Sequence, residues 1–343
     1  MLGISTYFKD LDYNYLKQAS EIGARYLFTS LHIPEEDLSN LDALLPEFLN
    51  KVKAFGLTLV PDISPATFAK LGVAEGDYHR LKELGFTALR LDYGFDDFKE
   101  VKKLQEDFEL ILNASVVNGE DLKRAVEAGV SLDNMTVLHN FYPLTGTALP
   151  VDYFKSINDD YEAFNIKTMA FVPGDKLKRF PLYEGLPTLE KHRSMHPYVA
   201  AVELMHDFHI DDILIGDSEA EFATLYWIES YMKKRIIHLP AVLETDYEHL
   251  YDETFAIRKD LSETMIRLVS PRIPSIPILK NNGFLAGAIT MENALAGRYS
   301  GEIQIQKSAG FVPRSNVLGY VEPLFLDLLK YIDRDVTVKL VRP

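Results

Sequence analysis

The chain has 343 residues, with 36 Lys and Arg against 51 Asp and Glu, a formal net charge of −15. Hydrophobic residues at 47% and charged residues at 25% argue against extended disorder, and the negative balance speaks against nucleic acid or an anionic membrane as the main partner. The absence of cysteine removes disulfides, thiol nucleophiles and Cys-ligated zinc, and leaves the compartment open.

The opening apolar run is too short for an export signal and lacks a basic flank, and no 18-residue apolar run occurs. A cytoplasmic chain without a membrane span is expected. The strings Asn113-Ala-Ser115 and Asn134-Met-Thr136 match the glycosylation pattern only by chance on that reading.

Eight β-like runs follow one another: residues 2–5, 26–31, 57–64, 88–92, 109–115, 135–140, 166–173 and 212–217. Helical composition fills the intervals at 13–22, 41–55, 74–84, 95–105, 119–128, 151–164 and 197–209. Alternating strand and helix implies parallel pairing, and eight repeats match a closed (β/α)8 TIM barrel. An open doubly wound sheet would want a glycine-rich first turn, and no such string is present. Capping residues mark two helix starts, Asn118-Gly-Glu-Asp121 and Ser218-Glu-Ala-Glu221.

After residue 240 the rhythm changes. Residues 284–290, 299–306 and 336–341 read as strands, and 322–331 as a helix. The expected division is a barrel at 1–238 and a smaller β-rich domain at 239–343. The first 240 residues hold 24 basic and 38 acidic groups, net −14, and the rest hold 12 and 13, net −1. The acidity belongs to the barrel.

Residues two apart on a strand share a face, so the strand ends present Ser5, Thr29 or Ser30, Asp62, Arg90 with Asp92, Asn113 with Ser115, His139 and Asp217. A polar ring above apolar layers is how a barrel builds an active site. Asp62, Asp92 and Asp217 form the carboxylate pool, because glycoside hydrolysis commonly uses two carboxyls. One of Asp62 and Asp92 is equally suited to pairing with Arg90, and Asp217 to orienting a turn. His139 is either a donor to substrate or a satisfied structural histidine. His206 and His209 have HxxH spacing without a matching acidic ligand set, so no metal is expected.

The segment Pro173-Gly-Asp-Lys-Leu-Lys-Arg-Phe-Pro-Leu-Tyr-Glu-Gly-Leu-Pro-Thr-Leu-Glu-Lys-His-Arg193 is a long loop after the seventh run. Its cations stand in an acidic domain, where barrel enzymes often hold phosphate. Arg179, Lys191 and Arg193 are the candidate anion binders, and a solvated basic loop is the bland alternative.

Six barrel strings resemble the 6-phospho-N-acetylmuramidase (MupG) family: Thr29-Ser-Leu-His-Ile-Pro34, Leu89-Arg-Leu-Asp-Tyr-Gly94, Leu112-Asn-Ala-Ser115, His139-Asn-Phe-Tyr-Pro143, Glu184-Gly-Leu-Pro-Thr-Leu-Glu-Lys-His-Arg193 and Ile215-Gly-Asp217. The likeness extends to Gly297-Arg-Tyr-Ser-Gly-Glu302 and so spans nearly the whole chain. It implies a TIM barrel followed by a cyclophilin-like β-barrel domain, without prolyl isomerase activity. It further implies a cytoplasmic glycosidase that releases N-acetylmuramic acid 6-phosphate from N-acetylglucosamine in cell-wall recycling.

On this reading the substrate is a phosphorylated amino sugar, and no cofactor or metal is needed. Asn113, Ser115, His139 and Asn140 hold ring hydroxyls or the acetamido group, with Ser5, Thr29, Arg90 and Glu184 also lining the site. Arg179, Lys191 and Arg193 take the phosphate or lactyl carboxylate. The motifs do not assign acid and nucleophile, so the carboxylate choice rests on strand-end position. The rival readings are another sugar-phosphate barrel enzyme (epimerase, isomerase or aldolase) and a binding protein without catalysis. The second domain is a homodimer contact or a cover for the barrel mouth, and the sequence does not choose.

Overall fold

In a computed structural model, residues 1–31, 41–92, 97–133, 135–279 and 283–343 are described. His32, Ile33 and Pro34, Tyr93 and Gly94, and Asn134, named in the motifs above, lie outside the described residues. The chain divides into two compact units, Met1–Glu229 and Ser230–Pro343.

The first unit is a closed barrel of eight parallel strands in sequential order. They are β1 (Leu2–Ser5), β2 (Ala24–Ser30), β3 (Thr58–Ile63), β4 (Ala88–Leu91), β5 (Glu109–Asn113), β6 (Thr136–Leu138), β7 (Lys167–Val172) and β8 (Asp212–Ile215), with β1 pairing β8 to close the ring. All eight expected runs are strands. Their ladders stop short of Asp92, Ser115, Asn140 and Asp217, which stand where the backbone turns out of the barrel.

The helices are α1 (Tyr13–Ile22), α2 (Leu41–Ala54), α3 (Pro65–Lys70), α4 (Tyr78–Leu84), α5 (Phe98–Leu104), α6 (Gly119–Glu127), α7 (Val151–Ala163), α8 (Pro197–Asp207) and α9 (Phe222–Lys234). The expected cap of α6 is present: Asn118 Oδ1 accepts the N–H groups of Glu120 and Asp121 at 2.9 and 3.1 Å, and Asp121 returns the bond at 3.0 Å. The second expected box does not form. Asp175 from the seventh loop takes Glu221 N–H at 2.8 Å and the Thr224 hydroxyl at 2.6 Å, while Ser218 donates to Asp10 at 2.8 Å. A carboxylate at a helix N-terminus answers both its orphan N–H groups and its dipole, so it displaces the weaker hydroxyl.

Alternation fills the barrel with Tyr26, Phe28, Val60, Ile111, Leu138, Met169, Phe171 and Leu214. Each is at most 5% exposed. This layer is the floor beneath the polar rim.

The second unit holds a seven-stranded mixed sheet in the order β10-β15-β9-β14-β12-β13-β11. The strands are β9 (Ile236–Leu243), β10 (Thr254–Ala256), β11 (Met265–Arg267), β12 (Ala288–Glu292), β13 (Ile303–Gln306), β14 (Ser315–Val321) and β15 (Thr337–Val341). The segment expected as a helix winds as 3₁₀ over Pro323–Tyr331. Its buried Phe325, Leu328 and Tyr331 recur every third residue, which is the face a three-residue turn presents. Among the described residues no helix is long and apolar enough to cross a membrane.

Candidate active site

The floor layer dictates the rim. Two positions beyond Phe28, Val60, Ile111 and Leu138, on the same inward face, stand Ser30, Asp62, Asn113 and Asn140. Arg90 lies beside Asp62 in the β3–β4 register, and Asp92 follows it by two.

These side chains form one network. Arg90 is 1% exposed. Its Nη1 lies 2.5 Å from Asp62 Oδ1 and 3.5 Å from Asp92 Oδ1. Two oxygens at 2.5 and 3.5 Å from one nitrogen are at most 6.0 Å apart. Nη2 donates to Asn140 Oδ1 and, at 3.3 Å, to the Leu138 carbonyl. Asn113 Nδ2 donates to Asp92 Oδ1 at 2.8 Å, and Asn113 Oδ1 accepts Ser115 N–H at 2.9 Å. Ser115 Oγ accepts Asn140 N–H at 3.2 Å and lies 3.3 Å from the Tyr142 hydroxyl. A guanidinium this deep is tolerable because carboxylates and carbonyls surround it. Asp62 is 8% exposed, whereas the Asp92 side chain is 20% exposed and so more open.

An aromatic surface adjoins the network. Phe28, Phe141 and Phe171 meet edge to face with centroids 5.1–5.6 Å apart. The Arg179 guanidinium lies 4.8 Å from the Tyr7 ring centre, 5.6 Å from that of Phe180 and 6.0 Å from that of Phe141. Tyr7 and Phe141 were not expected here. Tyr7 sits two residues after Ser5, so alternation alone could have found it.

Asp217 has a different task from Asp62 and Asp92. It is fully buried. Its Oδ2 accepts Gly174 N–H at 2.7 Å and Leu186 N–H at 3.2 Å, and its Oδ1 accepts Arg179 N–H at 2.9 Å. Burial pushes its pKa up, and the three N–H donors oppose the rise. The loop packs too closely for side chains at two glycines: a Cβ on Gly174 would lie 2.4 Å from the Glu219 carbonyl oxygen, and one on Gly216 2.4 Å from that of Leu186. The carboxylate therefore organises the seventh loop.

Two of the three expected anion binders are also engaged within the fold. Arg193 Nε and Nη2 each contact Glu190 at 2.7 Å, and Nη1 and Nη2 reach the carbonyls of Gly185 and Leu144 at 2.9 and 3.2 Å. The Arg193 bonds hold Glu190 down at a pKa of about 2. Lys191 contacts Glu203 at 2.6 Å, and His192 shares that carboxylate at 2.7 Å. Burial pushes Glu203 up, but His192 and Lys191 bring its pKa to about 2. Both pairs pin the loop, because a long basic segment beside carboxylates satisfies itself first.

Four expected site residues stand apart from the network. Glu184 accepts from the backbone and hydroxyl of Thr145 at 2.8 and 2.6 Å, which lower its pKa and tie two loops. Ser5 Oγ donates to the Ile215 carbonyl at 2.6 Å, joining β1 to β8. Thr29 is fully buried, and the inward Phe28 puts it on the outer face, leaving Ser30 inward. His139 also faces outward. Its Nε2 lies 3.0 Å from Asn158 Oδ1, and its ring packs on Phe154 of α7 at 4.5 Å. Burial lowers its pKa to about 4.

The chain matches the family models described as 6-phospho-N-acetylmuramidase, N-terminal, over residues 2–229, and 6-phospho-N-acetylmuramidase, C-terminal, over residues 237–341. It is similar to a conserved Enterococcus faecalis protein of unknown function, with 27% identity, coverage of 100% of this chain and 96% of that one, and a TM-score of 0.86. It is also similar to an uncharacterized B. cereus protein, with 26% identity, 99% of each chain covered and a TM-score of 0.79. No curated protein matches it. With both family models matched in order across the two units, the chain belongs to the 6-phospho-N-acetylmuramidase family.

Proposed function

We propose that this chain hydrolyses the glycosidic bond of 6-phospho-N-acetylmuramyl-N-acetylglucosamine, as a step in cytoplasmic cell-wall recycling. The observation that carries the reading is the pair Asp62 and Asp92 on either side of Arg90, with oxygens no more than 6.0 Å apart. Retaining glycosidases hold their carboxyls at roughly 5–5.5 Å and inverting ones at roughly 6.5–9.5 Å, so the limit favours retention.

In this mechanism Asp62, the deeper carboxylate, attacks C1 of the muramyl sugar. Asp92, the more open one, enters the complex protonated and gives its proton to the departing oxygen of N-acetylglucosamine. Asp92 then takes a proton from water, the water oxygen bonds C1, and Asp62 leaves. Arg90 orients Asp62 and balances its charge. Asn113, Asn140, Ser115 and Tyr142 offer donors and acceptors to ring hydroxyls and the acetamido group. Phe141 gives a sugar ring an apolar face. Arg179, carried at the same mouth, takes the phosphate or lactyl carboxylate.

The test is to incubate purified protein with the phosphorylated and the unphosphorylated disaccharide and follow sugar release. Fast release from the phosphorylated form alone is expected. Equal rates on both would remove phosphate from the reading, and no release from either would remove the hydrolase. Retention is checked by the anomer first formed.

A further inference from the structure

Five arginines gather about residues 297–302 of the second unit. Three are matched by carboxylates. Buried Glu302 takes Arg267 Nε at 2.9 Å and Arg258 Nη1 at 3.3 Å. Asp260 takes Arg258 Nε and Nη2, each at 3.0 Å, and Arg267 Nη1 at 2.8 Å. Arg314 pairs with Glu292 at 3.2 Å. The backbones of Glu292 and Glu302 are joined by an N–H to carbonyl bond of 2.9 Å, so these groups form one cluster.

Arg272 and Arg298 are the remainder. Neither pairs with a carboxylate among the described residues. Instead their guanidinium carbons lie 5.0 and 4.9 Å from the centre of one ring, Tyr299. Arg298 Nη2 also donates to the Tyr299 hydroxyl at 2.7 Å. The two guanidinium carbons are thus at most 9.9 Å apart. With three carboxylates against five arginines, the cluster carries an excess of two positive charges in a chain of net −15.

The backbone fixes this arrangement. The Ser300 carbonyl accepts Ile273 N–H at 3.0 Å, and Ser300 Oγ accepts Ile276 N–H at 3.1 Å. Gly301 has φ +87°, and a Cβ there would lie 2.3 Å from Ile273 N. The segment bearing Arg272 is therefore latched to the one bearing Arg298 and Tyr299. Two like charges held close without an acid repel each other, and an anion between them turns that repulsion into attraction. Two guanidinium forks suit a group with several oxygens better than a single carboxylate.

We propose that Arg272 and Arg298, mounted on Tyr299, form a second-unit binding site for a phosphomonoester dianion. The phosphate belongs either to the barrel's own substrate or to a separate phosphorylated ligand.

The test is calorimetric titration of the full chain with inorganic phosphate and with a 6-phosphorylated amino sugar. Every protein also carries Arg179→Ala, so that the barrel arginine does not contribute. Binding is read whether or not the chain hydrolyses anything, so the test stands apart from the catalytic reading. The Arg179→Ala chain is expected to bind one phosphate. Adding Arg272→Gln and Arg298→Gln should weaken binding by about tenfold or more at unchanged melting temperature, since each lost charged contact removes about 1.5–3 kcal/mol. Lysine at both positions should recover part of the affinity. Absence of phosphate binding in the Arg179→Ala chain, or equal affinity in the glutamine variant, would overturn the site. If the glutamine pair lowers the melting temperature, the lysine pair decides: affinity equal to that of the arginines would sink the fork argument. Kinetics on the otherwise native chain identify the source. A raised KM for the phosphorylated disaccharide in the glutamine variant assigns the phosphate to substrate, and an unchanged KM assigns it to a separate ligand.

Discussion

Asp217 Oδ1 accepts the backbone N–H of Arg179 at 2.9 Å, so a carboxylate first read as a catalytic candidate holds a residue of the proposed anion site. Asp217→Asn keeps the volume but exchanges one acceptor oxygen for an NH₂ facing N–H donors. The expected outcome is a KM for the phosphorylated disaccharide raised about tenfold or more, with kcat changed less than KM. Arg179→Ala should raise the same KM by about 10–100-fold and erase the preference for phosphate. Steady-state kinetics on both disaccharides check this. A loss confined to kcat in Asp217→Asn would return that residue to the catalytic pool.

Asp62 and Asp92 should be the costly carboxylates. Asp62→Asn removes the nucleophile, and kcat should fall by at least roughly 10³-fold with little change in KM. Asp92→Asn should fall by roughly 10²–10⁴-fold, and less on a substrate with a good leaving group, because such a group needs no proton. Arg90→Lys should also be slow, since one ammonium cannot reach Asp62, Asp92, Asn140 and the Leu138 carbonyl together. Full activity in either aspartate variant would strike that residue from the mechanism.

The barrel was legible because its strands carry apolar residues at a period of two, and the same parity carried Asp62, Asn113 and Asn140 to the rim. The Arg90–carboxylate pairing was legible from the cost of a buried guanidinium. The role of Asp217 was not, because its partners are backbone N–H groups at 174, 179 and 186, which no residue type announces. His139 and Thr29 were misjudged by one position: the inward residues are Asn140 and Ser30. Arg193 had a visible clue in Glu190, three residues earlier, but composition counted the cation without its partner. Glu203, the partner of Lys191, sits on α8, and only the fold brings it back to the loop.

Arg193 should matter for stability. It is 9% exposed and spans Glu190 and two loop carbonyls. Arg193→Ala leaves those acceptors without their donor and should cost about 2–3 kcal/mol. Arg193→Lys should recover only part of this, because an ammonium cannot grip both oxygens of Glu190 while reaching both carbonyls. Denaturant unfolding of the three proteins measures the series. A cost within about 0.5 kcal/mol for the alanine variant, the range of ordinary surface substitutions, would show that the clamp is not structural.

His139 should make the barrel sensitive to acid. Its pKa is about 4 in the folded chain, lowered mainly by burial, against an ordinary 6.5 in the unfolded one. Between those values the unfolded chain binds the proton and the folded one does not, so stability rises with pH there. The contribution is complete above pH 6.5, falls as pH drops towards 4, and amounts to about 3 kcal/mol at about 1.4 kcal/mol per pKa unit. His139→Gln has no group that titrates in this window and keeps a donor for Asn158. The variant may start less stable, but its stability should fall less steeply from pH 6.5 to 4 than that of the native chain. Denaturant midpoints at four or five pH values across the window give the two slopes. Parallel slopes would mean that His139 carries no proton linkage and that other groups produce the acid sensitivity.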